Sequence, residues 1–188
     1  AAQLPHRLFK KNGLGHLVPF QHPDLDHWRD ALRHGLKARY KNTNIIMTGG
    51  VDDIWQDIND GKLVVVDYKS QANTRPLTPE SYLADPYHEG YKVQMDFYAY
   101  LLREMKFEVS ETGYFLVCNA DRGADGFFGQ MDFSETLIPY ECDSDWIPGK
   151  VSEMLDLMNQ TDVPEGNPSC SNCAYAKQRA AIETSEVA

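Results

Sequence analysis

Apolar residues fall along this chain in two rhythms, short β-branched runs and one longer helical stripe. Residues Lys62 to Ser70 have the apolar, β-rich composition of a mostly buried strand, and Asn44 to Trp55 read as another. Between them lies Asn59-Asp60-Gly61, in which Asp60-Gly61 suits a tight hairpin turn that needs positive φ. Further strands are predicted at Leu36 to Lys41, Thr112 to Asn119 and Phe133 to Cys142. Gly90 to Lys106 reads as an amphipathic helix, Asp145 to Asn159 as another, and Asp24 to Ala31 as a short one after an irregular or helical N-terminal stretch. Loops are expected at Gly13 to Pro23, Gln71 to Gly90, Asp121 to Gly126 and Thr161 to Pro168. Strands interleaved with helices predict an α/β fold, a mixed sheet with helices packed on it.

The predicted hairpin brings polar residues together. With the turn centred on Asp60-Gly61, residue 59 pairs with 62, 54 with 67 and 52 with 69. Side chains alternate between faces, so Asp67 and Lys69 share a face while Tyr68 points away. The same register puts Asp52 on the face of Asp67, diagonally across the ladder, and Asp53 on the other. An odd-length turn would exchange Asp52 for Asp53, because a one-residue slip flips every side chain.

Two carboxylates on one face can bind Mg²⁺ or Mn²⁺ and leave positions for water and a phosphate oxygen. Such an ion polarises a phosphodiester and lowers the pKa of a bound water. Lys69 beside it could orient that water or stabilise the charge that develops in the transition state. The ordinary alternatives are a cross-strand ion pair for Asp67 and Lys69, and a turn role for Asp52. On the helix, Gln94 and Tyr98 stand at i and i+4 on one face, with Leu101 and Leu102 continuing the apolar side. There the alternative is a core tyrosine beside a solvated glutamine.

Taken in order, Gly49-Gly50-Val51-Asp52, Asp67-Tyr68-Lys69 and Gln94-Met95-Asp96-Phe97-Tyr98 resemble the G-x-x-D, D-x-K and Q-x-x-x-Y series of the PD-(D/E)XK nuclease superfamily. The spacing looks most like its RecB-type branch, which includes CRISPR-associated adaptation nucleases and helicase-linked exonucleases. The resemblance implies a restriction-endonuclease-like mixed central sheet flanked by helices, and a metal-dependent nuclease acting on DNA, exonuclease-like, with single strands or ends as substrate and a helicase as a conceivable partner. It implies that Asp52 and Asp67 ligate the metal, with the Tyr68 main-chain carbonyl as a further ligand. It also implies that Lys69 is the catalytic lysine, and that Gln94 and Tyr98 support the site or the strand. A catalytically silent nucleic-acid-binding or scaffold domain of the same fold is the alternative.

Two features depart from that pattern. RecB-type nucleases often carry a metal-binding His on a helix before the G-x-x-D strand. His6, His16, His22, His27 and His34 precede it here, none in a clear helical G-x-x-x-H context, and none is assigned. Some members close the domain with an iron–sulfur cluster held by cysteines from both ends. Cys170 and Cys173 form a C-x-x-C, half of a four-ligand set for such a cluster or for zinc. Cys118 reads as a buried hydrophobe, and Cys142 has no partner at metal-like spacing. The chain opens Ala1-Ala2-Gln3 without Met, so a fragment lacking an N-terminal segment, and with it a ligand pair, is one expectation.

At 188 residues the chain is long enough for one domain with a substantial core. Four cysteines are too few and too irregularly spaced for a disulfide scaffold. No apolar run approaches the roughly 18 residues of a membrane span and no signal-peptide pattern is visible, so a soluble cytoplasmic protein is expected. The formal net charge of −10 opposes nucleic-acid binding, whose affinity comes mostly from Lys and Arg on phosphates. Basic residues nevertheless gather at Arg29, Arg33, Lys37, Arg39 and Lys41, whereas many acids fall after Glu104. The Gln71 to Gly90 connection is long for a compact domain. With Arg75, Tyr82, Tyr87 and His88 it could cover a bound strand.

Overall fold

A computed structural model describes residues 7–126 and 128–185; His6 lies outside them. The chain divides into two compact units, with the boundary between Ile147 and Pro148. In chain order the first unit contains α1 (Arg7–Lys11), β1 (Leu17–Pro19), α2 (Leu25–Arg29), β2 (Leu36–Arg39), β3 (Ile46–Gly49), β4 (Asp53–Asp57), β5 (Leu63–Asn73), α3 (Pro79–Leu83), α4 (Glu89–Glu104), β6 (Thr112–Asp121) and β7 (Phe133–Glu141). It also holds the first two residues of α5 (Trp146–Met158). The second unit holds the rest of that helix and α6 (Ser171–Ser185).

The central sheet runs β1-β4-β5-β6-β7, and β2 and β3 form a separate hairpin. Every neighbouring pair in the central sheet is antiparallel except β5 with β6. That parallel pair follows from the chain, because α3 and α4 intervene between the two strands and return it to the same end. A mixed five-stranded sheet flanked by helices is the predicted restriction-endonuclease-like architecture.

β5 has a different environment on each face. Val64 and Val66 pack with Phe9, Leu17 and Trp55 in one buried cluster, in which Phe9 stacks on Trp55 at 4.3 Å. Val65 and Asp67 lie on the other face, toward α4, whose Met95, Leu101 and Leu102 are fully buried. A strand covered on both faces must be apolar at both parities. The Val64-Val65-Val66 run meets that demand, and Asp67 breaks it.

Three expectations are corrected. Asn44 to Trp55 is two strands: β3 pairs with β2, β4 pairs with β5, and the chain changes sheets across Gly50-Val51-Asp52. Glycine is needed there, since a methyl group on residue 50 would lie 2.3 Å from Ala31 Cβ and one on residue 49 would lie 2.9 Å from the Tyr98 ring. The hairpin loop is four residues long, not two. Asp57 N donates to Lys62 O, Asn59 N to Asp57 Oδ1, and Gly61 takes φ 79°. The register therefore pairs Asp53 with Val66 and Ile54 with Val65, two residues from the predicted one. Finally, the Gly13 to Pro23 loop contains β1, and the Gln71 to Gly90 connection contains the end of β5, α3 and a 3-10 turn at Pro86–His88.

Candidate active site

The four-residue loop keeps the parity of the hairpin. Continuing the observed register one step beyond Asp53 and Val66 sets Asp52 opposite Asp67, on the face turned toward α4. Asp52 is exposed, and its Oδ2 accepts the main-chain N–H of Tyr68 at 2.9 Å. In a strand the N–H and C=O of one residue point the same way, so the Tyr68 carbonyl also faces the Asp52 side. The β4 ladder has ended there, whereas β5 continues to Asn73 against β6 alone. The sheet thus opens at the acids.

Asp67 is 1% exposed, and both carboxylate oxygens are buried without a regular hydrogen bond. Lys69 forms an ion pair with it from the same strand. Burial pushes the Asp67 carboxyl up to about 6; Lys69 opposes the rise and the nearby Asp52 adds to it. Lys69 is held on three sides. Besides Asp67, its Nζ donates to Gln94 Oε1 at 3.1 Å and lies 4.7 Å from the centre of the Tyr91 ring. Gln94 Nε2 in turn donates to the Tyr98 hydroxyl at 2.6 Å. The Tyr98 hydroxyl is raised above its ordinary value, first by burial and then by the charges of Asp67 and Asp52, against the Gln94 hydrogen bond. Asp52, Asp67, Lys69, Gln94 and Tyr98 therefore form one connected cluster.

Asp53, one residue along, faces the other way and is saturated. Its Oδ1 accepts from the Arg29 guanidinium and from Ile54 N, and its Oδ2 accepts the Tyr68 hydroxyl at 2.7 Å. Arg29 Nε also donates to the Asp52 carbonyl at 3.1 Å, and Val51 N donates to Trp28 O. α2 is thereby tied to the strand change that presents Asp52. One side chain of the predicted basic run is a brace, whereas Lys37 and Arg39 point outward from β2.

Sequence reasoning missed an aromatic pile beside Lys69. Tyr82 stacks on His88 at 3.9 Å, and His88 stacks on Tyr91 at 5.3 Å. The Tyr82 hydroxyl is buried with no hydrogen-bond partner and feels the charge of Asp67. Tyr82 and His88 are thus buried structure, not the exposed cover predicted for them. The only sequence signal was position: Tyr91 lies three residues before Gln94 and so shares its helix face.

The described histidines before β3 have other partners, and His6 lies outside the described residues. His16 faces Asp57 at 3.7 Å, His22 stacks on Trp28, and His27 stacks on His34. Cys118 is half-buried rather than buried, and burial pushes the Cys142 thiol up to about 12. In the second unit Cys170 Sγ accepts Cys173 N at 3.4 Å; that N–H lowers the Cys170 thiol, and the neighbouring Cys170 side chain raises the Cys173 thiol. Among the described residues no group of three or more His, Cys, Asp or Glu gathers at one point, so an iron–sulfur or zinc site is not completed among them. A hard divalent ion fits the Asp67 site better, because a buried carboxylate whose one ionic partner is Lys69 faces a second carboxylate, and the remaining ligands can be water and phosphate.

The profile of the PD-(D/E)XK nuclease superfamily matches residues 9–178, and the chain belongs to that superfamily. These are nucleases, phosphodiester hydrolases that act on nucleic acid and typically use divalent metals such as Mg²⁺. Neither a curated protein nor a solved structure matches the chain. Among the described residues no helix is long and apolar enough to cross a membrane.

Proposed function

We propose that this chain is a Mg²⁺- or Mn²⁺-dependent deoxyribonuclease that works from DNA ends. One observation carries the reading: Asp67, a buried carboxylate without regular hydrogen bonds, is paired to Lys69 and opposed by Asp52 where the sheet opens. Leaving a carboxylate in that state costs stability, and a bound cation removes the cost. Asp52, Asp67 and the Tyr68 carbonyl would hold the ion. When bound, it supplies a Lewis acid at the phosphate and a water of lowered pKa.

The chain's own residues do the positioning. Lys69, fixed by Asp67, Gln94 and the Tyr91 ring, presents an ammonium to the charge that grows on the phosphate and to the attacking water. Gln94 spends its carbonyl on Lys69 and its amide on Tyr98, so both the lysine and the tyrosine are pre-oriented. Exposed Lys37 and Arg39 stand on the β2–β3 hairpin, which packs on α4. Much of the acidic excess lies elsewhere, in a groove at the hairpin end of the sheet lined by Asp57, Asp60, Glu108, Glu111, Glu141, Asp143 and Asp145. This separation reconciles a net charge of −10 with a polyanionic substrate, and it predicts salt-sensitive binding.

DNA, action from ends and a helicase partner are supported by the RecB-like order of the three motifs. Four free thiols support a reducing, cytoplasmic setting. The test is cleavage of end-labelled single- and double-stranded DNA, and of RNA, with Mg²⁺, Mn²⁺ or EDTA, by wild type and Lys69→Ala. Metal-dependent shortening of DNA from an end, lost in the variant, is the expected result. A folded wild type that binds nucleic acid but cuts none would make this a silent binding or scaffold domain.

A further inference from the structure

Tyr87 is mostly exposed, yet it is firmly placed. It occupies the 3-10 turn Pro86–His88, where Pro86 presets the backbone and the Asp85 carboxylate accepts Tyr87 N at 2.9 Å. The residue is 79% exposed. Edge contacts join it to His88, at 5.9 Å and 74°, and to Tyr91, at 6.3 Å and 87°. His88 is anchored in turn, since its Nδ1 lies 2.8 Å from the Tyr82 carbonyl and its ring lies between those of Tyr82 and Tyr91. Tyr91 supports the Lys69 ammonium. A connected pile of rings therefore leads from the core to the lysine, and Tyr87 is its most exposed member.

An aromatic side chain left largely in water, one ring removed from Lys69 through Tyr91, fits a flat, polarisable ligand. A nucleobase attached to the strand at Lys69 is such a ligand. Within a duplex, bases stack on one another and present only their edges, so an unpaired base alone can lie on the ring. We infer that Tyr87 is a stacking subsite for an unpaired base adjacent to the phosphate held at Lys69, selecting a strand with at least one splayed nucleotide. The inference rests on the nuclease reading and adds to it a specificity-determining residue outside the superfamily's motif positions.

The test is binding, measured by fluorescence anisotropy with labelled single-stranded and duplex oligonucleotides in Ca²⁺, for wild type, Tyr87→Ala and Tyr87→Trp. Tyr87→Ala should bind the single strand about tenfold more weakly, within the range of one lost base–aromatic stack, and duplex about equally. Tyr87→Trp should restore the affinity. One abasic position in the oligonucleotide should weaken wild-type binding by the same factor and leave Tyr87→Ala no weaker still. Equal abasic losses in both proteins, or unchanged single-strand affinity in Tyr87→Ala, would overturn the subsite alone. Failure of folded wild type to bind any oligonucleotide would overturn the nuclease reading with it.

Discussion

Asp67 and Asp96 are both sealed from solvent, at 1% and 5% exposure, and burial raises both carboxyls. Their partners differ. Asp96 accepts from the Tyr140 hydroxyl at 3.0 Å, from Asp143 N at 2.9 Å and from Trp146 Nε1 at 3.1 Å. It joins the middle of α4 to the end of β7 and the start of α5. Asp67 has the Lys69 ion pair and no regular hydrogen bond. A buried acid with three donors is architecture; one kept short of donors is held ready for something that binds. Asp52 and Asp53 repeat the contrast at adjacent positions, with Asp53 saturated by Arg29, Ile54 N and Tyr68, and Asp52 turned toward the opening.

Substituting the two buried acids separates them most sharply. Asp67→Asn should reduce metal-dependent cleavage by at least about 10²–10³-fold, in a steady-state assay on end-labelled DNA. Asp96→Ala should leave the catalytic groups in place but destabilise the fold by about 2–4 kcal/mol, because three buried donors lose their acceptor. Urea unfolding measures this. An Asp96→Ala protein of wild-type stability would break the distinction.

The opposite sign is expected at Asp67. Its carboxyl titrates near 6 in the folded chain and at 3.8 when unperturbed. Between these values the folded chain holds a proton that the unfolded chain has released, so metal-free stability falls as pH rises from about 4 to about 6 and stays reduced above. The shift corresponds to roughly 3 kcal/mol at most. Asp67→Asn should therefore be more stable than wild type above pH 6 without metal, and the difference should vanish near pH 4. Asp96 contributes a slope of the same sign to both proteins, so the difference isolates Asp67. Gly50→Ala should cost about 1–3 kcal/mol by forcing a methyl group against Ala31. If it is neutral, close approach at the strand change is not what the glycine provides.

The common face of Asp52, Asp67 and Lys69 was legible in the sequence for a local reason. Strand parity survives any even-length turn, so an error of two residues in the register left all three on one face. Gln94 and Tyr98 were legible because helical spacing alone puts i and i+4 together. The break in Asn44 to Trp55 was not, because it depends on Ala31 meeting Gly50 across 19 residues of chain. Likewise the Tyr82–His88–Tyr91 pile and the Arg29–Asp53–Tyr68 brace are contacts between elements, and no local periodicity encodes them. β1 is only three residues long, too short to show an alternation.

The most direct measurement is calorimetric titration of Mn²⁺ into metal-free wild type and Asp67→Asn at pH 7.5. Saturable binding in the wild type, abolished in Asp67→Asn and accompanied by a rise in melting temperature confined to the wild type, is the predicted result. Equal Mn²⁺ binding by the two proteins would contradict the assignment of Asp67 as the centre of the site.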